Sequence, residues 1–333
     1  MMAIKTVTRA FAALALMAGL AGAPAQAAPL NLTLSGASPG GLWSLLGAGL
    51  DRAVKAADAQ SVVTYQATGG GFANIGLIAA GRSDLGLAHD AEIKIALAGG
   101  APFREPVTGM TAIATLYNWA PMHFFIAKSV ADAHGIRTLA DLAKPGVGVR
   151  IGINRAGNIT GDVALAMLEA AGASEAAIEA GGGQFVRAAS ADQADLLRDG
   201  RIDVVTNGIF VGHSSFRAID ENTEVVLLSV PPEVVAAMQD RFGTGPFTIP
   251  AASYRNQPEA VETVALGALL IAPAGLDEAA AHGLTSALLA HLDEVRGVHG
   301  AMRALTPELM ATPAVIPFHP GAERAYREAG LIR

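Results

Sequence analysis

Residues 68–90 read T-G-G-G-F-A-N-I-G-L-I-A-A-G-R-S-D-L-G-L-A-H-D, and this stretch decides the expected fold. Glycines 69–71 allow a tight turn, and the apolar residues that follow recur at helical spacing. A buried strand expected at 85–88 then delivers His89 and Asp90 to its carboxyl end. A glycine loop that opens a helix presents unpaired N–H groups and the positive end of the helix dipole, which together bind anions.

Predicted strands and helices alternate on either side of this stretch. A strand pattern at 30–34 leads through a Gly-rich loop into a helix, and a second strand follows at 62–65. Such alternation is typical of an α/β fold whose mostly parallel sheet is flanked by helices, with ligands bound beyond the carboxyl ends of the strands. Near the end of the chain, a helix is expected at 277–292, and His319 is expected to pin the turn before the last helix.

The middle of the chain repeats the pattern. A strand at 147–153 and a helix at 162–171 are separated by a Gly/Asn loop, and Gly200-Arg201-Ile202-Asp203 later mirrors Gly81-Arg82-Ser83-Asp84. Gly-x-x-Asp turns are common, so coincidence is the alternative. If the repeat is real, the chain forms two similar α/β lobes that face each other across a ligand cleft.

Two apolar segments are expected to join the lobes. They are predicted as strands at 124–127 and 265–272, and crossing strands of this kind allow a hinge to close a cleft. The predicted division places residues 28–120 and 256–333 in the first lobe and residues 121–255 in the second.

The first 27 residues have the composition of a secretory signal peptide. Lys5 and Arg9 precede an Ala/Leu-rich run, and Ala25-Gln26-Ala27 provides a small-residue cleavage site. A retained membrane anchor is the alternative, but the run is poor in large apolar residues. The most apolar later segment, at 264–276, is broken by Pro273 and too short to span a bilayer. We therefore expect an exported protein that acts in the periplasm.

The composition argues against several classes of protein. The chain has no cysteine, which rules out disulfides, thiolate metal sites and thiol catalysis. Its formal charge is −7 and it has no basic cluster, which argues against nucleic acid as a partner. The 8 histidines are scattered without metal-binding spacing. We expect a monomer that is not an enzyme and that holds no cofactor or metal.

The candidate ligand contacts lie in the glycine loops, at helix starts and at strand ends that face the expected cleft. Their backbone N–H groups, hydroxyls, amides and rings suit a small organic anion. They are Ser38, Gly40, Gly41, Trp43, Thr68, Gly70, Gly71, Asn74, His89, Asp90, Asn158, Thr160, Asn207 and Phe210.

Several of these residues have structural alternatives to ligand binding. Asn74, Asn158 and Thr160 suit the capping of their own loop or helix. Trp43 suits the core as well as a cleft wall. Arg155 offers a bidentate partner for a carboxylate, but a loop arginine is usually solvated.

An enzyme and a ligand sensor are alternatives to a protein that only captures its ligand. Gly36-Ala37-Ser38-Pro39-Gly40 fits G-x-S-x-G between a strand and a helix, as in the nucleophile elbow of α/β-hydrolases. Those enzymes place the elbow well into the sheet, whereas here it follows the first predicted strand, and no pattern fixes His and Asp partners. A periplasmic ligand sensor for a signalling partner would use the same fold as a receptor.

Five blocks of this sequence match blocks of one known family and follow one another in the same order. They are S-G-A-S-P-G-G-L-W at 35–43, T-G-G-G-F-A-N with A-G-R-S-D-L-G-L at 68–87, T-L-Y-N-W-A-P-M-H-F-F-I at 115–126, T-L-A-D-L-A-K-P-G-V-G-V-R-I-G at 138–152 and P-F-H-P-G-A-E-R-A-Y-R-E-A-G-L at 317–331. Each block alone is weak, but the ordered set resembles the TAXI family of solute receptors, which serve tripartite ATP-independent periplasmic (TRAP) transporters.

The resemblance implies a two-lobed, type II-like periplasmic binding protein. Such a receptor closes on a small organic acid, glutamate-like or dicarboxylate, and delivers it to a TRAP-type membrane permease driven by an ion gradient. This chain departs from the family at Gly71, where a hydroxyl residue is usual, at Ile159, in a loop that usually reads Gly-Ser-Gly-Thr, and at His89, where a Gln-Ser-Asp run is common. The ligand is therefore expected to differ from the ligands associated with the family.

Overall fold

The computed structural model of the chain describes residues 28–37, 42–312 and 315–333. The predicted signal peptide and the ligand contacts predicted in the first glycine loop, Ser38, Gly40 and Gly41, lie outside these residues. Among the helices within them, none has the length and apolar character needed to cross a membrane.

The described residues form the following strands and helices. The strands are β1 (Asn31–Ser35), β2 (Val62–Gln66), β3 (Leu85–His89), β4 (Met110–Ala127), β5 (Arg150–Ile153), β6 (Gln184–Arg187), β7 (Val204–Gly208), β8 (Val225–Leu227), β9 (Gly245–Ile249) and β10 (Val261–Pro273). The α-helices are α1 (Leu42–Ala57), α2 (Gly71–Ala79), α3 (Asp90–Leu97), α4 (Lys128–His134), α5 (Ile159–Ala170), α6 (Glu175–Ala180), α7 (Ser190–Arg198), α8 (Ser214–Asn222), α9 (Pro232–Phe242), α10 (Glu278–Ala290), α11 (Leu292–Arg296), α12 (Pro307–Met310) and α13 (Pro320–Glu328). Short 3-10 helices lie at Leu139–Ala143 and Gly300–Ala304.

The strands fall into two groups with the same internal order. The first group runs β2-β1-β3-β10 and the second runs β6-β5-β7-β4. In each group the first three strands are parallel, and the long fourth strand is antiparallel to its neighbour. β4 and β10 also pair with each other, while β8 adds to β4 and β9 to β10. The predicted α/β fold is confirmed as one curled sheet flanked by helices.

The two long strands exceed their predicted lengths. β4 covers 110–127 rather than 124–127, and β10 covers 261–273 rather than 265–272. The sequence Asn-Trp-Ala-Pro inside β4 suggests a loop, but the strand continues through it. Its first part pairs with β10 and its last residues pair with β7 and β8, so pairing on both edges outweighs the local signal. Pro121 lacks an N–H group, but its carbonyl still accepts from Ile209 N at 3.1 Å.

The two Gly-Arg-x-Asp turns have the same backbone geometry, so the predicted repeat is confirmed. Gly81 and Gly200 both have a φ of 63°, a left-handed conformation that favours glycine. In each turn, the N–H group of the following arginine donates to a leucine carbonyl in the preceding helix at 2.8 Å. The two turns therefore end α2 and α7 in the same way.

The aspartates of the two turns also have equivalent roles. Asp84 accepts a hydrogen bond from the backbone N–H of Thr33 in β1 at 2.8 Å. Asp203 accepts one from the backbone N–H of Arg150 in β5, also at 2.8 Å. Each aspartate thus holds the third strand of its group against the second, β3 against β1 and β7 against β5.

Three other boundaries differ from prediction for local reasons. β5 begins at Arg150 rather than at 147, because Gly148 has a φ of 57° and turns the chain just before it. α5 begins earlier than predicted, because Asn158 caps it. The predicted helix at 277–292 is two helices, α10 and α11, with the break at His291, which leaves helical geometry with a φ of −121°.

The main core lies between the sheet and its helices. Leu34 and Ile151 of the parallel strands are fully buried, and Leu46 and Leu50 of α1 pack in the same cluster. The buried residues of α1 recur along one face, as expected for an amphipathic helix against a sheet.

His319 pins the last turn, as predicted. Its Nε2 lies 3.0 Å from the carbonyl of Leu276, and its Nδ1 accepts from Gly321 N at 3.2 Å. His319 is 1% exposed, so the whole ring is enclosed at the start of α13.

Candidate ligand-binding site

Residues from both strand groups meet beyond the carboxyl ends of β3 and β7. His89 ends β3, and Phe210 follows β7. Tyr117 of β4 contacts both, with ring centroids 6.5 Å from His89 and 5.1 Å from Phe210. This is the end of the parallel strands at which α/β proteins bind ligands.

The glycine loop before α2 is held by its own side chains. Thr68 Oγ1 lies 2.6 Å from Asn74 Oδ1 and accepts from Gly70 N at 3.1 Å. Asn74 is fully buried and donates to the carbonyls of Gly36 at 2.8 Å and Leu87 at 2.7 Å. The amide of Asn74 therefore ties the loop to β1 and β3, which is the structural alternative to a ligand contact.

Glu92 occupies the space beside Gly71 at the start of α2. A Cβ atom at Gly71 would stand 1.7 Å from Glu92 Oε2, so only glycine leaves room for this carboxylate. Oε2 accepts from His89 N at 2.8 Å and lies 3.1 Å from His89 Nδ1. The sequence prediction missed Glu92, and the available signal was the absence of the usual hydroxyl residue at Gly71.

His89 and Asp90 lie at the junction of β3 and α3. Burial alone would lower the pKa of His89, but the carboxylates of Glu92 and Asp90 outweigh it and raise that pKa. Asp90 accepts from Gly267 N in β10 at 2.9 Å and from Ala91 N at 2.8 Å. Burial raises the pKa of Asp90 to about 7. A carboxyl group that titrates near neutral pH therefore contacts one of the two crossing strands.

Five rings form a cluster that joins the two strand groups. This ring cluster consists of Trp43, His89, Tyr117, Trp119 and Phe210. Trp43 Nε1 donates to Tyr117 Oη at 3.0 Å, and its ring centroid lies 4.9 Å from that of His89. Trp43 is 7% exposed, so it belongs to the core and also bounds the cluster.

The indole N–H group of Trp119 is a buried donor without a hydrogen-bond partner in the described part of the chain. An unpaired buried donor costs about 1–3 kcal/mol, so an acceptor on a ligand would be favoured here. The sequence prediction quoted Trp119 within its block but assigned it no role. An indole inside a strand gives no sequence signal of whether its N–H group finds a partner.

A polar cluster lies at strand ends and at the start of a helix in the second strand group. Asn158 is the N-cap of α5, and its Oδ1 accepts from Thr160 N at 3.0 Å. Asn154 Nδ2 donates to Thr160 Oγ1 at 2.5 Å and to Asn207 Oδ1 at 2.9 Å. These four residues form the amide cluster, in which Asn154 is the member that the sequence prediction missed.

The amide cluster lies close to the crossing strands. A Cβ atom at Gly208 would stand 3.1 Å from Thr160 Cγ2 and 2.5 Å from Leu266 Cδ1 of β10. Thr160 and Asn207 are each 6% exposed, whereas Asn158 lies at the surface. Gly208, at the end of β7, therefore lies between the start of α5 and β10.

The structure brings most of the predicted contacts together. Trp43, His89, Asp90 and Phe210 lie in or beside the ring cluster, Gly71 lies against Glu92, and Thr160 and Asn207 lie in the amide cluster, whereas Gly70 donates to Thr68 within its own loop. Thr68 and Asn74 instead bond within their own loop. Arg155 is exposed and lies 3.6 Å from Asp192, which agrees with a solvated loop arginine.

A cavity of about 780 Å³ lies between α3, α5 and α9, and its lining residues include Lys94, Ile95, Asp162, Leu165, Arg241 and Phe242. The Lys94 ammonium donates to the carbonyls of Gln239 and Asp240 at the end of α9. Burial raises the pKa of Asp162, an effect that Arg187 opposes and Glu92 increases. The first turns of α3 and α5 therefore direct negative charge toward the same space.

Side chains that bind metals do not cluster here. Among residues 28–37, 42–312 and 315–333, no group of three or more His, Cys, Asp or Glu side chains is arranged to hold a metal ion.

One family model covers nearly all of the chain described above. The model of the NMT1-like family matches residues 34–330. The chain belongs to the NMT1-like family. This match does not test the finer resemblance to the TAXI family, which stays a prediction.

Solved structures of solute-binding proteins share the fold of this NMT1-like protein. Malate-bound MatC from Rhodopseudomonas palustris is 16% identical, with a TM-score of 0.54 over 91% of this chain and 99% of that one. A TctC solute binding protein from Polaromonas is 17% identical, with a TM-score of 0.51 over 91% and 96%. The periplasmic aliphatic sulphonate binding protein SsuA from Escherichia coli is 14% identical, with a TM-score of 0.46 over 84% and 80%. At these identities the likeness concerns the fold.

Proposed function

We propose that this protein is an extracytoplasmic solute receptor that captures a small organic acid and delivers it to a TRAP-type membrane permease. The observation that carries the proposal is the ring cluster, which joins the two strand groups beyond the carboxyl ends of the parallel strands, together with the amide cluster of the second group, whose Asn207 closely precedes Phe210 in the chain. Membership of the NMT1-like family and the fold shared with MatC and TctC support a receptor role.

In this proposal the molecule works as two lobes. Residues 28–120 and 256–333 form one lobe and residues 121–255 form the other, with β4 and β10 as the hinge. The ligand enters between the lobes, and closure excludes water, which strengthens each polar contact to the ligand. The closed form then docks on the permease and releases the ligand chemically unchanged.

The acid group of the ligand is assigned to the start of α5. The first N–H groups of a helix lack intrahelical partners, and the helix dipole adds partial positive charge. Thr160 supplies a hydroxyl group there, and Asn154 and Asn207 supply amides. The malate bound to MatC makes a carboxylate ligand a reasonable expectation within this fold.

The TRAP-type partner rests on the ordered sequence blocks that resemble the TAXI family. Delivery to such a permease requires export, and the predicted signal peptide at 1–27 supplies it. A receptor of this kind acts in the periplasm as a monomer and needs no cofactor.

Native mass spectrometry of the protein purified without refolding tests the receptor role. We expect a co-purified small acid that is lost on unfolding. Isothermal titration with that acid should show at least tenfold weaker binding by the double variant Asn158→Ala/Thr160→Ala, which corresponds to about 1.4 kcal/mol.

The matched control for the double variant is Thr306→Ala, which removes the N-cap of α12, far along the chain from the amide cluster. It should keep wild-type affinity. Equal affinity of the double variant and the wild type would remove α5 from the proposal, and conversion of the acid into a product would refute the receptor role.

A further inference from the structure

The side of the site formed by the first strand group carries a buried negative charge. Glu92 lies against Gly71 at the start of α2, where the free N–H groups of the helix would otherwise favour an external anion. The side chain of Glu92 is 5% exposed. An incoming carboxylate would meet this carboxylate at close range, so this side of the site repels an anion.

The two oxygens of Glu92 have different surroundings. Oε2 is used by His89, whose backbone N–H and Nδ1 lie 2.8 and 3.1 Å away. Oε1 has no hydrogen-bond partner among the residues that the structure describes, 28–37, 42–312 and 315–333. Oε1 is not among the fully buried, unpaired side-chain atoms of these residues, so it reaches the solvent and is open to a cationic group of a ligand.

The other charged groups near Glu92 leave an excess of negative charge at this position. Asp90 is the neighbouring carboxyl group, and Asp162 of α5 adds a third from the second strand group. Lys94, the nearest lysine in the chain, donates instead to carbonyls at the end of α9. His89 is the one cationic side chain that pairs with Glu92 in the described ranges, and it uses Oε2. The region beside Oε1 therefore has an excess of negative charge.

The ring cluster adds a second, independent preference for positive charge. Tyr117 and Trp119 both contact Phe210, with centroid distances of 5.1 and 6.3 Å, and Trp43 stacks near His89. The faces of aromatic rings attract ammonium groups, most strongly where water is excluded. Glu92 pairs with His89, which belongs to the ring cluster, so the carboxylate and the rings lie at the same junction, a setting that suits an alkylated nitrogen.

We propose that the ligand is a small zwitterion whose cationic nitrogen lies between Glu92 Oε1 and the ring cluster, while its carboxylate lies at the start of α5. This inference rests on the proposed receptor function and narrows its ligand class. It makes Glu92 a specificity-determining residue and predicts that betaines and ω-amino acids bind better than dicarboxylates.

Matched pairs of probes isolate the nitrogen charge. Glycine betaine and 3,3-dimethylbutanoate have the same shape but differ by the charge on one atom, and 4-aminobutyrate and pentanoate differ by an ammonium in place of a methyl group. Calorimetric titration with these four compounds and malate should show at least tenfold tighter binding of the charged member of one pair, which corresponds to about 1.4 kcal/mol.

The variant Glu92→Gln removes the charge and keeps the shape. Glutamine still fits the capping box at the start of α3, so the variant should fold. We expect it to lose the preference for the nitrogen-bearing member of the pair. Glu179→Gln, at an exposed position on α6, is the control for removal of one negative charge and should keep that preference.

Native mass spectrometry on the same preparations covers the case in which none of the five probes binds. A co-purified molecule with a cationic nitrogen that is absent from Glu92→Gln supports the inference, and a nitrogen-free acid overturns it. Equal binding within both pairs, a preference that Glu92→Gln retains, or tighter binding of malate also overturns the inference but leaves the receptor function intact. Absence of any bound small molecule, together with no binding of any probe, refutes the receptor function itself.

Discussion

Asn74 and Gln193 occupy the same position in equivalent helices, α2 and α7, but the two amides have different surroundings. Both are buried, with 0% and 1% of their surface exposed. The amide of Asn74 is fully used by Thr68 and two backbone carbonyls. Gln193 donates to the carbonyl of Ala188 at 3.3 Å, while its Oε1 has no partner in the described part of the chain.

The same contrast holds for the two strand groups as a whole. Their frameworks match, down to the φ of 63° at Gly81 and Gly200 and the aspartate that follows each turn. Their ligand-facing ends do not match, because the first group presents the carboxylate of Glu92 and the second presents the amide cluster. Folding constraints are thus repeated in both groups, whereas the residues that we propose as ligand contacts differ between them.

The largest effect is expected from filling the space that Glu92 occupies. Gly71→Ala should destabilise the protein by about 3 kcal/mol, because the new methyl group must displace a nearly buried carboxylate. Gly76→Ala is the matched control in the same helix, since a Cβ atom there meets open space. It should stabilise the protein by about 1 kcal/mol. Urea unfolding measures both, and similar values for the two variants would show that Glu92 is not confined.

Substitution of the two equivalent amides should have a slightly smaller effect on the free energy of unfolding, and the two losses should differ. Asn74→Ala should cost about 2–3 kcal/mol, because the carbonyls of Gly36 and Leu87 lose their donor in the interior. Gln193→Met keeps the volume, removes an oxygen that is already unpaired and gives up one long hydrogen bond, 3.3 Å to the carbonyl of Ala188, so it should cost about 1 kcal/mol. Equal losses of unfolding free energy would contradict the claim that the two amides have different surroundings.

Substitution of the two turn aspartates should cause smaller losses of unfolding free energy. Asp203→Ala should cost about 2 kcal/mol, because Asp203 binds the backbone N–H of Arg150 and also its guanidinium group, through Nε at 2.9 Å and Nη2 at 2.6 Å. The side chain of Arg150 is 36% exposed, and solvent weakens this ion pair. Asp84→Ala, which loses only the contacts to Thr33, should cost about 1 kcal/mol. A larger loss for Asp84→Ala in urea unfolding would contradict this ranking.

The smallest effect is a pH dependence of the unfolding free energy. It arises where β4 passes from one strand group to the other. His123 is fully buried there, and burial lowers its pKa to about 3. The unfolded chain therefore takes up a proton at higher pH than the folded chain, so stability is complete above the unfolded pKa of about 6.5 and falls as the pH falls. At pH 5.5 the loss should be about 1.4 kcal/mol relative to pH 8.

His123→Gln removes the titrating group and should remove this part of the pH dependence. Urea unfolding of the two proteins at pH 8 and pH 5.5 makes the comparison. The same loss in both proteins would show that other groups cause it.

Sequence reasoning succeeded where local chemistry determines structure. The helix starts, the left-handed glycines and the apolar strands predicted the α/β alternation and the repeated turns, because these features depend on neighbouring residues. It failed for the length of β4, where pairing on both edges overrides an Asn-Trp-Ala-Pro sequence typical of a loop.

The candidate site could be predicted only in part, for a related reason. Strand ends and helix starts identified His89, Thr160 and Phe210, since their positions follow from the fold. Glu92 and Trp119 could not be found in this way. The role of Glu92 depends on the space that Gly71 leaves by having no side chain, and the role of Trp119 depends on an unpaired indole N–H group. Both are properties of packing between segments that are distant in sequence.

A crystal structure with the co-purified molecule bound tests the central claim most directly. We expect the molecule to bridge the two strand groups, with its carboxylate within hydrogen-bond distance of Thr160 at the start of α5 and its remaining polar group beside Glu92 Oε1 and the ring cluster. A molecule bound away from both clusters, for example in the cavity between α3 and α9, would contradict the claim.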